Sequence, residues 1–165
     1  PDLILEAFCN IKDIHPDLHL TYIGPDEGML DILIKTSKDQ GVKDRVHFCG
    51  YVSREDKARI IKSSQFLVIP SRQEAMSIVV LEAGVCGKPV LITDQCGFDE
   101  IEQIGGGVVV SADIMGLAKG ISSMLNQKES FSKMGYNLQK SVRRKYLWSI
   151  VADRHVTLFN TLVNS

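Results

Sequence analysis

Phe66-Leu-Val-Ile69, Pro70-Ser-Arg-Gln73 and Glu74-Ala-Met-Ser-Ile-Val-Val-Leu-Glu82 follow one another without a break near the middle of this 165-residue chain. The first block is a short aromatic and β-branched run, which fits a buried parallel strand. The last reads as the start of a helix, spanning about Ser77 to Cys86. A strand that opens onto a helix N-terminus leaves free backbone N–H groups and the positive end of the helix dipole pointing at one place, which suits an anion. Carboxylates at both ends of the segment, Glu74 and Glu82, add acceptors for hydroxyl groups. Phosphates and hydroxyls together describe a nucleotide-sugar.

Outward from this segment, helix and strand alternate. Leu3, Ile4, Ala7, Phe8 and Ile11 recur at helical spacing, ending at His15-Pro16 because the residue before proline avoids the α region. A strand over Leu18–Ile23 and a helix carrying Met29, Leu30, Leu33 and Ile34 up to Gly41 come next. The strand Val46–Cys49 follows. Ser53 and Asp56 have capping-box spacing for a helix burying Ala58, Ile60 and Ile61. Beyond the central segment come the strands Val90–Ile92 and Val108–Val110. Three helices then run to about Asn126, about Lys145, and from Trp148 to about Leu162. Five strands alternating with helices argue for βαβ units and a mainly parallel sheet, with ligands beyond the carboxyl ends of the strands.

Composition narrows the function classes. The length fits one domain, residues 1–165, with a real core. A net charge of −1 gives no general attraction to nucleic acid, so anion binding must be local. No apolar run approaches the roughly 20 residues that cross a bilayer, and no signal peptide is visible. Cys9, Cys49 and Cys86 lie in apolar surroundings, where cysteine behaves as a small hydrophobe. Cys96 lies in a polar loop that leaves reactivity open, although an inert thiol is expected. Scattered, unpaired cysteines fit a reducing compartment and a cytoplasmic location. The four histidines lack ligand spacing, so no metal site is expected.

Pro70-Ser-Arg-Gln-Glu74, Leu81-Glu-Ala83, Gly87-Lys-Pro-Val90 and the loop to Gly97 and Glu100 resemble the group 1, or family 4, retaining glycosyltransferases. The resemblance covers nearly the whole chain, up to the Trp148 helix. It implies a Rossmann-like three-layer α/β/α domain, the C-terminal, donor-binding half of a GT-B architecture. It further implies transfer of a sugar from a nucleotide-diphosphate-sugar, UDP- or GDP-linked, to a glycan or glycolipid, without a cofactor or metal. By resemblance Glu74 lies at the donor sugar as the catalytic-site carboxylate. Glu82 binds the ribose hydroxyls. The backbone of Ala75, Met76, Ser77 and Ile78 cradles the diphosphate and sugar. The turn at Gly50, Tyr51 and Val52, with Lys57, contacts the base. For individual residues, plainer roles are also open: a helix cap for Ser77 or Glu74, packing for Tyr51, a solvated helix end for Arg143-Arg-Lys145.

The chain departs from the family pattern in two ways. Ala75 stands where many relatives have glycine. The family's central leading strand, its basic Arg/Lys pair and its N-terminal acceptor domain do not precede Pro1. The expectation is therefore that this chain alone is inactive, and that the acceptor, with any peripheral membrane association, belongs to the N-terminal domain. Alternatives from other classes are a nucleotide-sugar epimerase of the same fold and a non-catalytic nucleotide-binding subunit.

Overall fold

The computed structural model describes residues 1–98 and 100–163. Among the described residues, seven α-helices and five strands follow in the expected order. They are α1 (Asp2–Ile11), β1 (Leu20–Tyr22), α2 (Leu30–Asp39), β2 (Val46–Phe48), α3 (Arg54–Ser63), β3 (Leu67–Ile69), α4 (Ile78–Val85), β4 (Val90–Thr93), β5 (Gly107–Val110), α5 (Ile114–Asn126), α6 (Phe131–Lys145) and α7 (Trp148–Val163). α1 ends before His15-Pro16. The turn that follows is closed by the N–H of His15 on the Ile11 carbonyl, and the Arg45 guanidinium gathers the carbonyls of Lys12, His15 and Pro16. A cation at the end of a helix both satisfies orphan carbonyls and suits the dipole.

Every strand pairing is parallel, as the alternation predicts, but the strands form two sheets: β1–β2 and β3–β4–β5. Between them lies a cavity of about 700 Å³. Leu20 and Tyr22 of β1 line one side, Leu67 and Val68 of β3 the other, with Ile4, Phe8 and Ile61 also on its walls. α1 begins on the cavity wall at Pro1.

β4 explains the layering. Leu91 packs with Leu3, Ile4, Ala7 and Ile11 of α1 and with Leu117, Ile121 and Met124 of α5. Val90 and Ile92 point the other way, to Val80 and Ala83 of α4 and Leu138 and Val142 of α6. Alternate residues of a strand face opposite sides, so a run buried on both faces produces helix, sheet and helix layers. A third cluster, Leu5 and Phe8 of α1 with Leu33, Val42 and Val46, holds the β1–β2 half. α1 thus presents residues to both parts of the core.

Two smaller expectations, the buried face of α3 and the setting of Cys49, need correction. Of Ala58, Ile60 and Ile61 only Ile61 is fully buried, because α3 lies at the periphery. α7 buries no residue, and Trp148 is 87% exposed. Cys49 is exposed although its neighbours are apolar, whereas Cys96 is fully buried, as expected of an inert thiol.

Candidate functional site

Parallel strands put their carboxyl ends on one side, and the loops there build the site. β3 runs into Pro70-Ser-Arg-Gln73, whose path is fixed from β4 and the loop behind it. Thr93 Oγ1 donates to the Ser71 carbonyl at 2.5 Å, and the Cys96 thiol donates to the Ile69 carbonyl at 3.3 Å. A thiol so placed is a structural donor in the interior.

The following segment is pinned by the loop after β4. The N–H of Glu74 donates to the Gln95 carbonyl at 2.9 Å, and that of Ser77 to the Cys96 carbonyl at 3.2 Å. Gly97 completes the contact. It has φ +61°, and a β-carbon there would lie 2.0 Å from the Ala75 carbonyl oxygen. Only glycine permits both that backbone conformation and that approach. The Ser77 amide is therefore committed within the protein. Among the described residues, the N–H groups of Ala75, Met76 and Ile78 have no protein acceptor. They lie at the amino end of α4, where the dipole is positive.

Ser77 is the N-cap residue by position, but its side chain makes no capping bond. Its hydroxyl is buried without a partner among the described residues. Glu74 does not cap α4 either: one carboxylate oxygen, Oε2, accepts from the Ser71 hydroxyl at 2.9 Å. The side chain is held from behind, on the loop that carries it.

Glu82, one turn into α4, is half-buried, and its Oε1 meets Lys57 Nζ at 2.5 Å, with the two side chains 31% and 37% exposed. This ion pair joins α4 to α3 across the boundary between the two sheets. α3 itself starts at Ser53, whose Oγ accepts from the Asp56 N–H at 3.1 Å. The reciprocal half of a capping box is replaced by a bond from the Ser53 hydroxyl to the Asp56 carboxylate. The turn before α3 is tied to the end of β1 by the Gly24 N–H, which donates to the Gly50 carbonyl at 3.0 Å. Gly50 has φ +63°, and Tyr51 beside it is 83% exposed, which removes packing as its role. The structure therefore brings Lys57, on the helix that follows the Gly50–Val52 turn, against Glu82.

Two clamps had no local sequence signal. Arg72 Nη1 and Nη2 contact the Asp2 carboxylate at 2.8 and 2.5 Å, fixing the Pro-Ser-Arg loop to the first turn of α1. The Arg72 guanidinium holds the Asp2 carboxyl well below the usual carboxylate range. On the other flank, Lys145 Nζ and the Tyr146 hydroxyl both reach Glu100, securing the loop after β4 to the end of α6. Lys145 is thus a tether, while Arg143 and Arg144 remain exposed.

The description "Glycosyl transferases group 1" matches residues 1–141. The chain belongs to the group 1 glycosyltransferase family. It is 30% identical over 132 residues to a D-inositol 3-phosphate glycosyltransferase of Mycobacterium, covering 77% of this chain and 29% of the relative. The fold matches HepE from Anabaena, solved in complex with UDP, with a TM-score of 0.84 and 19% identity, over 98% of this chain and 45% of that one. It also matches the C-terminal domain of a group 1 glycosyl transferase from Francisella tularensis, with a TM-score of 0.77 and 20% identity, over 88% of this chain and 78% of that one. The fold is the Rossmann-like C-terminal half of a GT-B glycosyltransferase. The chain spans about a third of the length of curated relatives it matches, 34% and 29% in two cases. Among the described residues, no helix is long and apolar enough to cross a membrane.

Proposed function

We propose that this chain is the donor-binding half of a retaining glycosyltransferase that uses a nucleotide-diphosphate-sugar. The observation that carries the reading is the set of unengaged N–H groups of Ala75, Met76 and Ile78 at the amino end of α4, flanked by Glu74 and Glu82. These amides receive the diphosphate. A phosphate oxygen at the N-cap would also give the buried Ser77 hydroxyl an acceptor. Glu82 accepts from the ribose hydroxyls, and the Gly50–Tyr51–Val52 turn borders the base. Glu74, braced by Ser71, orients the donor sugar.

The chemistry follows from charge. As the bond from the sugar's anomeric carbon to the phosphate oxygen breaks, negative charge grows on the departing diphosphate and positive character on the sugar. Amides already aimed at the phosphate stabilise that charge without reorganising. The acceptor, a glycan or glycolipid, would be supplied through an N-terminal domain of the whole protein, and the chain alone is expected to bind donor without transferring it. UDP bound to the structurally similar HepE supports a nucleotide donor.

The test is an NMR amide titration with UDP, GDP and ADP. Saturable shifts at Ala75–Ile78 with at least one nucleotide, weakened about tenfold or more in Glu82→Ala, are expected because charge-assisted bonds to hydroxyls are among the stronger ones. A folded chain with no saturable shift would overturn the reading.

A further inference from the structure

A lysine in the first turns of α3 is placed against the helix dipole, which favours acids there, and Glu55 and Asp56 occupy the preceding positions. Lys57 does not use those neighbours. Asp56 is engaged by Ser53 and Arg59, and the Lys57 ammonium crosses instead to Glu82 Oε1 on α4, 25 residues away. Only Oε1 is engaged; among the described residues Glu82 Oε2 has no partner. An ammonium has three donors, so two remain on Lys57 beside an open carboxylate oxygen. Both side chains are about one-third exposed, so a ligand can reach them.

Resting on the donor-site reading above, we infer that Lys57 and Glu82 act as one element that recognises the ribose cis-diol, with Lys57 a direct contact to the ribose and not a reader of the base. Glu82 Oε2 accepts from one hydroxyl. The Lys57 ammonium fixes the carboxylate rotamer through Oε1 and donates to the oxygen of the neighbouring hydroxyl. A diol offers both donors and acceptors, and a paired ammonium and carboxylate match both. A carboxylate alone would match only the donors. The arrangement predicts that the sugar of the nucleotide, more than its base, is what Lys57 discriminates.

The experiment is calorimetric titration of the 165-residue chain with UDP and 2′-deoxy-UDP, for wild type, Lys57→Met, Lys57→Arg, Glu82→Gln and the Lys57→Met/Glu82→Gln double variant. Wild type is expected to prefer UDP over 2′-deoxy-UDP by about tenfold, the scale of one charge-assisted hydrogen bond. Lys57→Met should cut that ratio to about threefold or less, weakening UDP more than 2′-deoxy-UDP, and Lys57→Arg should restore part of it. The double variant should bind no worse than Glu82→Gln, because the two groups act through one contact. Melting temperature should barely move, since a half-exposed pair adds little stability.

Equal weakening of both ligands by Lys57→Met would overturn the inference and make Lys57 a general anion contact. A changed preference among UDP, GDP and ADP with the UDP to 2′-deoxy-UDP ratio intact would overturn it in favour of base reading. Either result leaves the donor site standing. Wild type that binds no nucleoside diphosphate would instead sink the donor-site reading, and this inference with it.

Discussion

The two sheets differ in how deeply they are buried, and the site straddles the difference. All four residues of β4 are buried, between α1 and α5 on one side and α4 and α6 on the other. In the β1–β2 half each strand has three residues, and of the six only Val46 is fully buried. The three-stranded half carries the segment from Pro70 to Ile78, which Thr93, Cys96 and Gly97 hold in place. The two-stranded half carries the Gly50–Val52 turn. Lys57–Glu82 and α1 cross between them. In the donor site proposed above, the diphosphate lies on the more buried part and the nucleoside across the seam.

The largest effect should separate the two halves by stability. Leu91→Ala removes a side chain buried against both α1 and α5, and should cost about 2–5 kcal/mol in urea unfolding. Leu20→Ala, in the partly buried β1, should cost only about 1 kcal/mol. Equal losses would show that the two halves share one equally tight core, and the contrast drawn here would fail.

A smaller effect should come from the clamp between α1 and the Pro-Ser-Arg loop. Asp2→Asn is expected to cost about 0.5–1 kcal/mol at neutral pH, the range for an exposed but bidentate pair. Because Arg72 depresses the Asp2 pKa in the folded state, the stabilisation is present above the unfolded value of about 4. It is lost as the pH falls from there toward the lower folded value. The gap between wild type and Asp2→Asn, followed by unfolding at stepped pH, should therefore narrow below about pH 4. A gap that widened there would contradict the pairing.

The smallest effect concerns the thiols. Iodoacetamide labelling read by mass spectrometry should modify Cys49, in the thin half, well before Cys96, which stays protected until the chain unfolds. Early labelling of Cys96 would mean that the loop over the Glu74 segment opens readily, and that the rigid half is less rigid than its burial implies.

Much of this was legible in the chain itself. Leu3, Ala7 and Ile11 at helical spacing, the β-branched runs at Phe66–Ile69 and Val90–Ile92, and glycine or proline between them locate nearly every element to within a few residues. The start of α4 between Glu74 and Glu82 is legible for the same reason: local pattern records which backbone is helix and which residues are buried. Cys49 misled because an apolar sequence context does not say whether anything covers the residue, and it is exposed, whereas Cys96 is buried as an inert thiol should be. Ser77 misled because its N-cap position is local, whereas the loop carbonyl that takes its amide comes from Cys96.

The sequence by itself therefore determined the α/β alternation, the strand-to-helix turn that opens onto α4 and the family to which the chain belongs. Only the tertiary structure decided that Lys57 pairs with Glu82, that Asp2 clamps Arg72 from 70 residues away, and that the strands divide into two sheets. Periodicity is set by each segment's own backbone and one buried face. The partner of a charged side chain is set by how distant elements come to lie side by side, where desolvation and geometry choose among many carboxylates that the sequence leaves equivalent.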